Sequence, residues 1–280
     1  MDAVLEPLRD LGWVEKKNLE IELRYVSGHV ERLRPNAEDL VRLRMDVIGT
    51  LGTPAALAAK AATSSIPIVL WSAGDPVGSG LVASLSKPGG NVTGFSFLAP
   101  ELDTKRVELL RELVPGLLRL AVLEPANHPY YLGRRKEFEK MCRALGVTPL
   151  FIEVVAPAEI EGAVTEAFRR GAQALLVPQE PVFQDPGPLM AATSRYALPT
   201  VSGGGNLLEA GALAILTHSS QEQNERFAWY VDKILRGAKP ADLPIQQPTR
   251  FVLAVNARAA KSLGLTVPAS VRLRVDKLIE

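Results

Sequence analysis

The spacing of apolar positions changes repeatedly along the chain. In NLEIELRYV, residues 18–26, Leu19, Ile21, Leu23 and Tyr25 face one way and Glu20, Glu22 and Arg24 the other. A period of two predicts a half-buried strand. Residues 30–44 switch to helical spacing through Leu33, Ala37, Leu40 and Val41. The run MDVIGT predicts a short buried strand. TPAALAAKAAT predicts a helix with Thr53 as its N-cap and Pro54 at its first position. IPIVLW, residues 66–71, reads as the next strand and Val77 to Leu85 as the next helix.

Between Val92 and Pro100 the rhythm breaks. A helix follows with Leu102, Leu109, Leu110 and Leu113 on one face, and the alternation restarts. Strands are expected at LRLAVLE, TPLFIEVV, AQALLVP, LPTVSG and GALAILTH, with helices over 133–145, 158–170 and 187–196. A last helix over 221–236 aligns Phe227, Val231, Ile234 and Leu235. Strands alternating with helices build parallel sheets covered on both faces, an α/β fold. Two such sets with a break near residue 98 predict two similar lobes.

In open parallel sheets ligands bind beyond the carboxyl ends of the strands. The loops there read LGTPA, SAGDPVGSG, EPANHPYY, PQEPVF, GGGNLLE and THSSQ. They offer backbone N–H groups, helix N-termini and a few polar side chains, a set suited to a small polar or zwitterionic ligand.

Charge and cysteine content narrow the classes. With 32 basic and 31 acidic residues, no global field favours nucleic acid or an anionic membrane. The arginines of RLRPNAEDLVRLR are interrupted by acids and read as a solvated helix face. The single cysteine, Cys142, shares a helix face with Phe138, Met141 and Leu145 and reads as a small buried hydrophobe. No apolar stretch approaches the ~20 residues of a membrane span. The opening MDAVLEPLRDLGWVEKKN lacks the apolar core of a signal peptide, which taken literally keeps the chain in the cytoplasm.

Enzymatic motifs are missing. There is no G-x-x-x-x-G-K-[ST], no strand-linked G-x-G-x-x-G and no G-x-S-x-G elbow. His29, His128 and His218 show no metal spacing, so no metal or cofactor is expected. His128 and His218 fall in cleft loops within reach of a ligand, although solvent-exposed loop histidines are the expected reading. Asp75, Glu124 and Glu180 are cleft carboxylates. A counter-charge for an amine or a cap on loop amides is a better reading for them than a general base. The Asn91 triplet reads as an Asx-type turn rather than a glycosylation site.

Two long strings carry a family resemblance. Residues 52–94, GTPAALAAKAATSSIPIVLWSAGDPVGSGLVASLSKPGGNVTG, and residues 235–268, LRGAKPADLPIQQPTRFVLAVNARAAKSLGLTVP, resemble ABC-transporter substrate-binding proteins related to tryptophan- and tyrosine-binding components, as does the closing VDKLIE. The resemblance implies a type I periplasmic-binding-protein fold. Its two Rossmann-like lobes would be residues 1–97 with 219–243, and 98–218 with 244–280, joined by three crossovers. It implies a small organic ligand, an amino acid or a relative, held between the lobes by hinge closure. Delivery to an ABC permease with a separate ATPase follows, in the periplasm or outside the cytoplasm, with no catalysis. Cleft candidates taken from loop position are Thr53, Pro54, Ala55, Gly74 and Asp75 in the amino-terminal lobe. In the other lobe they are Asn127, Tyr130, Gln179, Glu180, Ser202 and Gly203.

The chain departs from the family pattern in three places. Members usually begin with an export signal and a short apolar strand, whereas this chain opens within the following helix. An upstream start, a degenerate paralogue and a gap filled by another chain all remain open, as does a homodimer with strand exchange. Leu216-Thr217 stands where members often have Tyr-Gly, and SGGGNLL where larger polar residues are expected. The alternative function is a cytosolic ligand sensor or interaction protein that has lost export.

Overall fold

The computed structural model describes residues 2–26, 29–96 and 99–280. The expected break near residue 98 falls outside the described residues. In chain order the elements begin α1 (Asp2–Asp10), α2 (Leu33–Arg42), β1 (Ile48–Leu51), α3 (Thr53–Ala62), β2 (Ile68–Ser72) and β3 (Val92–Gly94). Next come α4 (Ala99–Leu113), β4 (Arg119–Pro125), α5 (Pro129–Ala144), β5 (Thr148–Val154), α6 (Ile160–Arg169), β6 (Ala174–Val177) and α7 (Pro186–Arg195). The chain ends with β7 (Thr200–Ser202), α8 (Asn206–Glu209), β8 (Ala214–His218), α9 (Ser220–Leu235), β9 (Phe251–Asn256), α10 (Ala257–Ser262), α11 (Ala269–Arg272) and β10 (Lys277–Ile279). They divide into two compact units, residues 1–99 with 218–250 and residues 100–217 with 251–280.

The first unit carries a parallel sheet in the order β1-β2-β3. β2 has no polar alternation because both its faces are covered. Ile68 and Leu70 join a cluster with Ala56, Ala59 and Leu81, while Val69 and Trp71 join another with Phe227 and Val231 of α9. The strand expected over 18–26 is not formed. Residues 20–26 run without a strand partner among the described residues, and β1 pairs only with β2. Alternation alone does not make a strand, because its N–H and C=O groups need a neighbour. Here Arg24 is tied to Asp39 of α2, with Nε donating over 2.8 Å.

The helix expected over Val77–Leu85 is also absent. Asp75 organises turns instead: its Oδ1 accepts from Gly78 N at 2.8 Å, and its carbonyl accepts from Ser79 N at 3.0 Å. Gly80 follows at φ +73°, a left-handed value that ends any helical run. Past these turns, Val92–Gly94 is a strand where the sequence pattern showed only a break. Asn91 forms no Asx turn. Its Nδ2 donates to Thr63 O and Ile66 O, at 3.1 and 2.8 Å, and braces the start of β3.

Residues 244–250, expected in the carboxy-terminal lobe, bond within the first unit. Ile245 N donates to Leu85 O at 2.7 Å and Gln246 N to Gly94 O at 3.0 Å. The buried Glu222 carboxylate accepts from Thr249 N and Oγ1 and from Arg250 N.

The second unit carries seven strands in the order β10-β9-β8-β7-β6-β4-β5. Odd and even residues of β4 serve opposite cores. Leu120 and Val122 pack with Leu110, Leu113 and Phe138, while Ala121 and Leu123 pack with Ile160, Val164 and Leu189. Cys142 is fully buried and its thiol is pushed up to about 12, chiefly by burial, so it is the inert hydrophobe expected. The sheet is not wholly parallel. Asn256 N donates to Leu213 O and Ser219 N to Arg250 O, so β9 runs back along β8.

Candidate ligand-binding site

In the first unit the predicted residues gather where β1 and β2 end. Thr53 is not the cap of α3. Gly52, at φ +90°, takes that position and Thr53 opens the helix, followed by Pro54 and Ala55. The buried Thr53 Oγ1 accepts from Gly74 N at 3.3 Å, which ties the two loops together. Asp75 is engaged by Gly78. A Cβ on that glycine would sit 2.2 Å from Asp75 Oδ2, so a side chain there would displace the carboxylate from this turn. The Asp75 carboxylate thus caps a loop amide, one of the two roles expected of it. Both cleft-loop histidines are buried, not exposed as expected. His218 pairs with Gln223 Oε1 over 2.8 Å and lies 6.2 Å from the Phe95 ring.

In the second unit the carboxyl ends of β4 and β6 meet the start of α5. Asn127 is exposed at φ +55°, a left-handed turn position that asparagine tolerates. Helical spacing then stacks Tyr130, Arg134 and Phe138 at four-residue steps, with Tyr131 alongside. The Arg134 guanidinium lies 5.4, 4.8 and 4.7 Å from the ring centroids of Tyr130, Tyr131 and Phe138. It donates to Asp103 of α4 and, at 3.2 Å, to Glu124 at the end of β4. Arg135 Nε donates to the other Glu124 oxygen at 2.8 Å, and its Nη2 to Glu153 of β5 at 2.8 Å. Burial raises the Glu124 carboxyl, against the pull of Arg134 and Arg135.

Tyr131 donates to Glu180 Oε1 at 2.8 Å, linking α5 to the loop after β6. Gln179, one residue earlier, is exposed. Ser202 and Gly203 belong to a neighbouring arrangement. Ser202 is fully buried and its Oγ accepts from Gly204 N at 2.9 Å. Arg106 lies across Gly203, where a Cβ would sit 2.7 Å from Nη2, and its Nε donates to Leu216 O at 2.8 Å. The glycine run thus makes room for a buried arginine. Sequence reading missed Tyr131, Arg134 and Arg106. The four-residue spacing of Tyr130, Arg134 and Phe138 was the available signal.

Two groups here titrate far from their usual range. Burial pushes the Glu180 carboxyl up to about 7, with the Tyr131 hydrogen bond and Arg134 pulling the other way. Burial, then Arg134, pushes His128 down to about 4. Folded Glu180 keeps its proton up to about pH 7, whereas an unfolded glutamate loses it near 4.5. Its contribution to stability therefore falls as pH rises through that window. Unfolded histidine takes a proton near 6.5 but folded His128 only near 4, so its contribution rises with pH from 4 to 6.5. The opposing slopes each reach about 1.4 kcal/mol per pH unit. Urea unfolding at pH 5 and 6.5 should show Glu180→Gln gaining stability with pH, and His128→Phe losing it, relative to the parent. A variant that keeps the parent's pH dependence would show that its group titrates normally.

Two units of mostly parallel α/β sheet are the architecture of type I periplasmic binding proteins, and matching solved structures place the chain in that class. The structure matches an ABC domain from Streptococcus pneumonia solved in complex with L-Trp, with a TM-score of 0.91 at 25% identity over 99% of this chain and 95% of that one. It matches a conserved domain protein from Vibrio cholerae with a TM-score of 0.93 at 27% identity, over 99% and 93% of the two chains. A tyrosine-binding protein of Clostridioides difficile is 23% identical over 274 residues, 93% of this chain and 75% of that protein. The family model for ABC transporter substrate binding proteins matches residues 1–279, and the chain belongs to that family. Its members bind substrates and are not enzymes. Among the described residues, no helix is long and apolar enough to cross a membrane.

Proposed function

We propose that this protein binds a small organic ligand, an amino acid or a close relative, and delivers it to an ABC permease powered by a separate ATPase, outside the cytoplasm. The observation that carries the reading is the aromatic and hydrogen-bonding cluster of His128, Tyr130, Tyr131 and Glu180 at the strand ends of the second unit. Such a surface suits a ligand with an aromatic side chain, as in the L-Trp complex of the Streptococcus relative. In this reading the Thr53–Ala55 turn, with Gly74 beside it, takes the ligand carboxylate on the Thr53 and Ala55 amides, Pro54 having none to offer. The two units act as lobes that close on the ligand by a hinge.

A thermal-shift panel of L-amino acids tests the reading. A true ligand at ~100 times its dissociation constant should add about 2.7 kcal/mol to stability. No shift with any amino acid in the panel would sink the proposal.

A further inference from the structure

His128 closes the turn after β4. It is 8% exposed, and among the described residues neither ring nitrogen has a hydrogen-bond partner. A buried polar atom without a partner is uncommon and bears the full desolvation cost of its group. The ring is held by edge contacts with Tyr131 at 5.0 Å and Tyr130 at 6.4 Å. It stands at the cap position of α5, yet its side chain makes no capping bond. No described hydrogen bond within the fold uses its ring nitrogens.

The neighbours define what it meets. Arg134 already directs both terminal nitrogens at Asp103 and Glu124. Glu180 is engaged by Tyr131 and keeps its proton up to about pH 7. The His128 imidazole is neutral above about pH 4, so it offers one donor and one acceptor. Below about pH 7 the cluster presents ring edges and mainly uncharged hydrogen-bonding groups. It is poorly matched to an ammonium or a carboxylate.

We infer that His128 recognises the uncharged hydrogen-bonding tip of the ligand's aromatic side chain, an indole N–H or phenol O–H, and not its charged head. The inference rests on the amino-acid reading above and names the feature of the ligand that is selected.

L-Tyrosine and L-phenylalanine differ only by that hydroxyl, so titration calorimetry with both isolates the contact. The parent should favour L-tyrosine by about tenfold or more, because a site built for a hydroxyl rejects the analogue without it. His128→Phe should abolish the preference and leave L-phenylalanine affinity within about twofold. His128→Gln, which keeps a donor and an acceptor, should restore part of it. Equal loss of both ligands in His128→Phe, or a preference that survives it, overturns the inference. The ligand-free protein supplies an independent readout. Removing an unpartnered buried imidazole should raise the thermal midpoint of His128→Phe and His128→Leu. A lower midpoint in both shows that the fold itself uses the ring, which also overturns it. If the parent binds neither of these and the panel shows no other amino acid bound, the amino-acid reading fails on its own, and the ligand-free comparison decides the role of His128.

Discussion

Gly94→Ala should destabilise the first unit by about 3 kcal/mol or more, among the largest effects of any single methyl group in this chain. Gly94 ends β3 at φ +132°, a backbone conformation that L side chains rarely adopt. An added Cβ would lie 2.5 Å from both Leu70 N and Leu70 O and 2.9 Å from Leu70 Cα. All three are backbone atoms of the paired strand, so no rotamer change relieves the clash. β3 would have to part from β2, whose Leu70 O accepts from Phe95 N just beyond Gly94, at 2.9 Å. Gly90→Ala is the control. Nothing lies within 4 Å of a Cβ there, and its φ is not in the left-handed region. It should be neutral or slightly stabilising, since alanine restricts the unfolded chain. Urea unfolding followed by tryptophan fluorescence reads both, since Trp13, Trp71 and Trp229 all lie in this unit. Equal midpoints for the two variants would show that β3 is not needed for the unit to fold.

The α/β class and most helices were legible because they rest on local periodicity. β4, β5 and α9 show their pattern in full, and the structure moves their ends by only a residue or two. What was not legible depends on partners far away in sequence. Residues 20–26 alternate well, yet alternation does not reveal whether a neighbouring strand exists. Val92–Gly94 is only three residues long, too short for any period, and becomes a strand because β2 lies beside it. The Val77–Leu85 pattern is apolar enough for a helix, but Asp75, Gly78 and Gly80 impose turns.

The candidate site divides the same way. Loop position alone led to Thr53, Gly74, Tyr130 and Glu180, because strand ends can be read from the sequence. The burial of His128 could not be read, since it depends on the packing of the turn between β4 and α5. Nothing in RRKEFEK singles Arg134 out from the charges beside it. Its role became visible only when Asp103 and Glu124, 31 and 10 residues away, were brought to it.

Removing that arginine should therefore cost more than removing a surface one. Among the described residues, Arg134→Ala leaves Asp103, itself buried, with only Arg106, and the fully buried Glu124 with only Arg135. Breaking a buried ion pair from one side costs about 3–5 kcal/mol, because the remaining charge has lost its compensation. The loss of the guanidinium from between Tyr130, Tyr131 and Phe138 adds to this, since those contacts are worth up to about 2 kcal/mol where they are dry. The two contributions respond differently to pH. Arg134 opposes the upward push of burial on the Glu124 carboxyl, so without it Glu124 would hold its proton more tightly in the folded state. Protonation relieves an unpaired carboxylate, so the deficit should be greatest at pH 7 and smaller at pH 4.5. A packing deficit has no such dependence. Unfolding of Arg134→Ala and of Arg134→Met at both pH values separates them, because methionine restores much of the apolar contact and none of the charge. A deficit that shrinks in acid for both variants assigns Arg134 to charge compensation. A deficit independent of pH and largely recovered by methionine would assign it to the aromatic stack, and Glu124 would then have to be held by Arg135 alone.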